Sequence, residues 1–320
     1  MLDQLTKKLG DVRENELMAN HTTFKIGGPA KFYYRAKNSQ QLLKAVKAAE
    51  SFALPYAIIG WGSNILVADA GYDGLVIQNS SDNFVIEGNE ITADAGLNLS
   101  RLVGVATQAG LSGLEFCAGI PGTVGGATAG NAGAYGQSFG QLVKMVKIYD
   151  QGKIKKISRE KMNFSYRDSA YKHSSAVILS VTIGLEPASS ESIRVKVMAT
   201  ISGRKKLPTE PSAGCIFKNI ELNKIEYDRE KILRVLEISE AEWKKITSRG
   251  KLSVGYVIER LGLKNETIGG CRISDKHCAF FINTGQCTAE QVMMLISAIK
   301  MKVRNKLGLQ LQEEIKYLGF

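Results

Sequence analysis

Nine glycines fall within the 28 residues 113–140, and the only charged residue among them is Glu115. Glycine costs conformational entropy on folding, so a run this dense needs a reason. Flexible linkers mix Gly with Ser; here Ile120, Val124, Ala127, Ala129, Ala132 and Ala134 are interleaved, and these are packing residues. One reason is a backbone that approaches a ligand closely. With no Lys or Arg in the run, a phosphate would be held by peptide N–H groups. The other reason is tight packing of small residues between subdomains. A shorter loop, Gly60-Trp61-Gly62-Ser63-Asn64-Ile65-Leu66-Val67, offers two glycines, a hydroxyl and an amide. It opens like a dinucleotide fingerprint, but position 65 is Ile and a short β-rich run follows in place of a helix, so a Rossmann reading fails. Two such uncharged loops point to one shared dinucleotide ligand. The Gly-Lys-Ser/Thr phosphate motif is absent, which argues against ATP hydrolysis.

Nucleophilic and metal-ligating residues are sparse. The five cysteines, Cys117, Cys215, Cys271, Cys278 and Cys287, are odd in number and form no C-x-x-C pair; His21, His173 and His277 are dispersed. Neither a disulfide framework nor a metal site is supported. Reduced thiols remain, and one of them is open to chemistry.

The 320 residues carry 44% apolar and 23% charged residues, the composition of an ordinary folded chain with a length prior of two domains. No apolar run is suited to span a bilayer as a helix, and residues 1–16 are charged throughout, so the expectation is a cytoplasmic protein with no membrane partner. A net charge of +11 fits either nucleic acid or a small anionic substrate. The basic residues are scattered without a stripe of interleaved aromatics, so no nucleic-acid partner is expected.

The elements that must position the loops follow from periodicity. Strands are expected at 30–36, 56–60, 65–68 and 75–78, with an amphipathic helix at 39–52. Gly88-Asn89 turns a hairpin between 84–87 and 91–95, and Gln151-Gly152 a second one between 144–149 and 153–157. Asn98 caps a helix that ends at Gly110. A strand at 175–185 and a helix at 189–205 close the first part. Beyond a boundary near 207–211 come a charged helical stretch at 221–249, a helix at 256–261, a strand at 278–283, a long helix at 288–306 and a final strand at 309–318. The rhythm is not that of a doubly wound sheet. It argues for an α+β chain of two or three subdomains.

Several ordered segments carry a resemblance. They are Thr23-Phe24-Lys25-Ile26-Gly27-Gly28-Pro29-Ala30, the loop 60–67, Gly119-Ile120-Pro121-Gly122-Thr123-Val124-Gly125-Gly126-Ala127 and Asn131-Ala132-Gly133-Ala134-Tyr135-Gly136. Tyr166-Arg167-Asp168-Ser169, Pro211-Ser212-Ala213-Gly214-Cys215-Ile216-Phe217-Lys218-Asn219, Ser274-Asp275-Lys276-His277 and Leu311-Gln312-Glu313-Glu314-Ile315 follow in order. Together they resemble the bacterial UDP-N-acetylenolpyruvoylglucosamine reductases, also called UDP-N-acetylmuramate dehydrogenases. The resemblance implies an FAD-binding domain of the vanillyl-alcohol-oxidase type over 1–206, in two subdomains split near 80. A C-terminal α+β substrate domain over 207–320 follows, with a helical insertion at about 220–250 read as a surface excursion. It also implies that NADPH reduces the flavin, which then reduces UDP-N-acetylglucosamine enolpyruvate to UDP-N-acetylmuramate for peptidoglycan. The short connection after Arg167 looks like the family's second type.

On the same resemblance, FAD falls to Gly60, Gly62, Ser63, Asn64, Ile65 and Leu66 in the first loop. In the second it falls to Gly119, Ile120, Pro121, Gly122, Thr123, Gly125, Gly126, Ala127, Asn131, Ala132, Gly133 and Ala134. Arg167 is the residue for the substrate carboxylate, because a guanidinium offers a planar fork of donors; by itself it reads as a surface ion pair. Cys215 is the proton donor, standing where many members have serine; by itself it reads as a packing residue. Glu314 is the family's acid near the C-terminus. Alternation along 309–318 instead puts Glu313 on the face of Leu309, Leu311 and Ile315. Lys218 and Asn219 suit the nucleotide's diphosphate or sugar, with Tyr166 and Lys206 as weaker choices, and His277 has no assigned role. A monomer is expected. The alternative readings are an FAD-dependent oxidoreductase of the same fold acting on another substrate, and a nucleotide-binding protein that has lost its chemistry.

Overall fold

Leu42, Ala45, Val46 and Ala49 recur at helical spacing. In the computed structural model, which describes residues 1–320, Ser39–Ser51 is a helix that buries all four. Asn38 starts it, its side chain accepting from Gln41 N at 2.8 Å. The buried stripe shares a core with Phe32, Tyr34, Leu75 and Ile77 of a four-stranded sheet. Its strand order is Val12–Leu17, Pro29–Ala36, Tyr72–Asn79, Tyr56–Ile59, with Tyr72–Asn79 parallel to both neighbours. A second sheet begins after Asn79. It is antiparallel, in the order Lys153–Ser158, Val143–Asp150, Val177–Gly184, Glu90–Asp94, Phe84–Glu87. Val177–Gly184 alternates strictly, with Val177, Leu179, Val181 and Ile183 buried. Val181 and Ile183 share a core with Leu102 and Val103 of the helix Leu99–Gln108 and with Val124 and Ala127 of the helix Val124–Ala129. The helix Ser190–Arg204 completes this compact unit, which comprises Met1–Glu16, Ala30–Trp61 and Tyr72–Lys205.

The other unit is Leu17–Pro29, Gly62–Gly71 and Lys206–Phe320. Its cut therefore differs from one at residue 206 alone, and long-range bonds explain why. Ile65–Val67 pairs in parallel with Lys316–Leu318. Asn283 Nδ2 donates to the carbonyls of Phe24 and Lys25 at 3.1 and 3.3 Å. The Asp69 carboxylate accepts from Ala289 N and Glu290 N at 2.8 and 2.9 Å, satisfying two donors at the start of the helix Ala289–Leu307.

Three expectations are revised here. The strand at 309–318 forms a regular ladder only over Lys316–Leu318; before it there is only an isolated bridge at Glu313, and the chain bends at Ile315. The strand at 278–283 shortens to Phe281–Asn283. The stretch 220–250 is no surface excursion: its helices Arg229–Leu236 and Glu240–Ile246 bury Ile232, Leu236 and Trp243 in the core with Val257 and Ile296. Glu237, at φ +52°, ends the first helix, and Ser239 caps the second. Ile220–Glu221 pairs with Lys251–Leu252 and closes the base of the segment.

Candidate active site

The long glycine run sits in the first unit. Thr123 caps Val124–Ala129, its side chain accepting from Gly126 N at 3.2 Å. Val124 N and Gly125 N donate to Leu97 O and Ala95 O at 2.9 and 2.8 Å, and Ile120 N to Cys117 O at 2.9 Å. All these donors are engaged within the chain. The peptide N–H groups of Gly119, Gly122 and Thr123 are not. Gly119 and Gly122 adopt φ of +76° and +140°, conformations that a side chain disfavours. Gly125 and Gly126 have no positive φ. A Cβ at Gly125 would lie 2.9 Å from Ala95 Cβ, so that glycine serves packing, whereas one at Gly126 would meet only Thr123 Oγ1, at 3.5 Å. Glu115 turns its carboxylate to Ser112 Oγ and Gly113 N at 2.6 and 2.7 Å. A set of peptide donors, an open glycine and no facing carboxylate fits the diphosphate of a dinucleotide such as FAD.

Other residues assigned to this loop shape it. Ile120 and Ala132 pack against the core, and Ala127 is buried in it. Gly133 and Ala134 pair with Ser138 and Gln137 around Tyr135-Gly136. Asn131 is buried, and both ends of its amide are engaged: Nδ2 donates to Ser165 O at 2.6 Å and Oδ1 accepts from Gly140 N at 2.9 Å. Gly60 belongs to the same unit; a Cβ there would lie 2.6 Å from Thr123 Oγ1. Its carbonyl accepts from Gln78 Nε2 at 3.2 Å, and Gln78 Oε1 in turn accepts from the Tyr33 hydroxyl, whose pKa burial pushes up to about 12. Sequence reasoning missed Tyr33 and Gln78. Pro29–Ala36 and Tyr72–Asn79 each carry other polar side chains, Lys31, Arg35, Asp73 and Asn79 among them, so nothing in the pattern marks these two out.

Arg167 stands in a tight turn. Ser165 and Asp168 exchange backbone hydrogen bonds of 3.1 and 3.2 Å, and Arg167 between them has φ +56°. That is a strained conformation for a long side chain. The surroundings impose it. Lys172 Nζ donates to Arg167 O at 2.9 Å, Ser169 Oγ to Ala129 O at 2.8 Å, and Asn131 grips Ser165. The Arg167 guanidinium lies 5.6 Å from the centre of the Tyr166 ring.

In the second unit, Gly62 has φ +62°, and a Cβ there would lie 2.2 Å from His21 O. Its carbonyl accepts from Thr23 N at 3.2 Å, while Thr23 Oγ1 donates to Ser212 O at 2.7 Å. Ser63 is half-buried; Ile65 and Leu66 pair with Lys316 and Tyr317, and Leu66 is fully buried. Asn64 Nδ2 donates to Glu314 O at 3.3 Å.

Residues 215–218 form a short extended ribbon with partners on both sides. Cys215 bridges to Phe280, and Ile216 N donates to Ala279 O at 2.8 Å. On the other side Phe217 bridges to Glu313, Glu314 N donates to Ile216 O at 2.7 Å, and Lys218 N to Gln312 O at 2.9 Å. Ile216 and Phe217 anchor the ribbon in the core, Phe217 packing edge-on against Phe281. Cys215 is half-buried, whereas the other four cysteines are buried; burial pushes the Cys117 thiol up to about 12. The Glu313 carboxylate accepts from Lys300 Nζ at 2.7 Å, so the acid favoured by alternation is engaged in an ion pair. Asn219 Oδ1 accepts from Val254 N at 3.2 Å, and Lys206 is exposed. His277 Nδ1 accepts from Ala279 N at 3.3 Å, its ring packs edge-on against Phe280, and burial holds its pKa below the ordinary value.

The loops and their setting define a flavoprotein: residues 30–158 match the family described as FAD binding domain. Residues 206–318 match the C-terminal domain of UDP-N-acetylenolpyruvoylglucosamine reductase. The enzyme of that name from Anoxybacillus flavithermus is 35% identical, over 98% of this chain and 97% of the relative. That from Caldanaerobacter subterraneus subsp. tengcongensis is 36% identical, over 100% and 98%. The crystal structure of the Thermus caldophilus UDP-N-acetylenolpyruvylglucosamine reductase superposes with a TM-score of 0.75 at 28% identity, covering 96% of this chain and 98% of that one. The chain belongs to the UDP-N-acetylenolpyruvoylglucosamine reductase family, FAD-containing oxidoreductases of peptidoglycan precursor synthesis.

Proposed function

We propose that the protein reduces UDP-N-acetylglucosamine enolpyruvate to UDP-N-acetylmuramate with NADPH, acting as a monomer in the cytoplasm. The observation that supports this most is the ribbon 215–218, hydrogen-bonded to the 312–314 segment within a domain matched to that family. It sets the Cys215 and Glu314 segments side by side.

The peptide N–H groups of Gly119, Gly122 and Thr123 would hold FAD, which when bound would supply hydride, drawn from NADPH, to the terminal carbon of the enolpyruvyl alkene. Negative charge then develops at the substrate carboxylate. Arg167 binds that carboxylate through its fork of donors, and the interaction strengthens as charge accumulates. The strained turn fixes the guanidinium stem before substrate arrives. Cys215 delivers a proton to the carbon that bears the carboxylate. A thiol is a far stronger acid than a serine hydroxyl, so cysteine serves where relatives use serine. Glu314 orients the donor. Lys218 and Tyr166 take the diphosphate and sugar. Asn219 joins them through its Nδ2 donors, since its Oδ1 is engaged by Val254 N.

The test is anaerobic. Protein reduced with one equivalent of NADPH should be reoxidised by the enolpyruvyl sugar nucleotide in the absence of oxygen. Reduced protein that stays reduced under these conditions sinks the reading.

A further inference from the structure

Asn64 lies in the first glycine loop, where an amide side chain suggests a contact to cofactor. Its Nδ2 donates to the carbonyl of Glu314 at 3.3 Å, and its own backbone carbonyl accepts from Lys316 N at 2.9 Å. Immediately beyond, Ile65, Leu66 and Val67 pair in parallel with Lys316, Tyr317 and Leu318. The Glu314 peptide is thus gripped at both ends: its N–H by Ile216 O, one residue from Cys215, and its C=O by Asn64. No regular ladder covers Glu314 itself, since the strand begins at Lys316. These two bonds hold the peptide from which its side chain springs, one on either side of it. The neighbouring carboxylate, Glu313, is pinned separately by Lys300.

We infer that Asn64 is a positioning residue for Glu314, tying the flavin-side loop to the acid beside the proton donor. This rests on the assignment of Glu314 made above. The mechanical content is specific. Without the amide donor, the Glu314 carbonyl loses a partner, and its peptide is freer to tilt between the Phe217–Glu313 bridge and the ladder that begins at Lys316. A displacement of about 1 Å at an aligned catalytic group can cost ~10²-fold in rate. Flavin reduction by NADPH requires no proton on the substrate carbon and is untouched by that displacement.

The experiment uses the FAD-loaded protein and three readouts: FAD affinity by titration, flavin reduction by NADPH, and anaerobic reoxidation by the enolpyruvyl sugar nucleotide, both rates by rapid-mixing absorbance. Asn64→Leu should slow reoxidation at saturating substrate by ~10–10²-fold. Its FAD affinity and reduction rate should stay within about threefold of the parent. Asn64→Asp keeps the shape and the backbone carbonyl that Lys316 uses, but turns an acceptor toward the Glu314 carbonyl; the same loss of reoxidation is expected of it, so it tests the bond even where Asn64→Leu fails to fold. Reoxidation at the parental rate overturns the inference. So does a parallel loss of FAD affinity or of the reduction step, which would make Asn64 a cofactor ligand. A parent that the substrate cannot reoxidise removes the functional reading itself, and this inference with it.

Discussion

Asn131 Nδ2 donates to Ser165 O at 2.6 Å, and that bond joins the glycine run to the turn that carries Arg167. The turn holds Arg167 at φ +56°. Left-handed backbone costs a residue with a Cβ about 1–2 kcal/mol, and glycine nothing comparable. The usual ranking of substitutions should therefore invert here. Arg167→Gly should be more stable than Arg167→Ala by about 1 kcal/mol, read as a difference in Tm between the two variants. Both should lose turnover, since neither offers a donor to the substrate carboxylate. An alanine variant as stable as the glycine one would show that the turn relaxes and the strain is not imposed.

Adjacent glycines in the second loop should behave differently. A side chain at Gly125 would collide with Ala95, at 2.9 Å for the first carbon alone. Gly125→Val should destabilise the apoprotein by about 1–3 kcal/mol, the range for overpacking. At Gly126 the first carbon meets only Thr123 Oγ1 at 3.5 Å, so Gly126→Val should fold. Its deficit should appear in FAD affinity, weakened by at least about tenfold if the open glycine faces the cofactor. Denaturant melts of the apoproteins and FAD titrations separate the two effects. A Gly126→Val protein that binds FAD like the parent would remove this glycine from the cradle.

The local signals read well because they are local. Gly88-Asn89 between alternating runs forms a hairpin, and Asn98 is the cap of the helix that follows it. What periodicity does not carry is which distant segments pair. Residues 62–71 fold with the C-terminal unit through Ile65–Val67 against Lys316–Leu318 and through Asp69 at the start of Ala289–Leu307. No pattern within 62–71 encodes those partners. The same holds for Asn64 and Asn131: nothing within the glycine loops encodes that their side chains reach backbone carbonyls of distant segments. Trp243 stands out in the sequence as the one tryptophan of a charged stretch, but its core is not legible there, because Val257 and Ile296 lie further along the chain.

His277 predicts a pH dependence of stability. Burial lowers its pKa from the ordinary 6.5, so the folded chain keeps it neutral where the unfolded chain binds a proton. The resulting stability is complete above the unfolded value and is lost as pH falls from about 6.5 through the folded value. Between pH 7.5 and 5 the parent should lose more Tm than His277→Gln, whose amide oxygen can still accept from Ala279 N. Equal losses would mean that His277 does not titrate differently on folding.

Cys215 offers the most direct test of the proposed chemistry, because only one half of the reaction needs a proton delivered to carbon. Flavin absorbance after rapid anaerobic mixing resolves the two halves in the parent, Cys215→Ala and Cys215→Ser. NADPH should reduce all three at similar rates. The enolpyruvyl sugar nucleotide should reoxidise the parent readily and the alanine variant at least ~10²-fold more slowly, the low end for general acid catalysis, with serine recovering much of the loss. Reoxidation of Cys215→Ala at the parental rate, or a parent that the substrate leaves reduced, would contradict it.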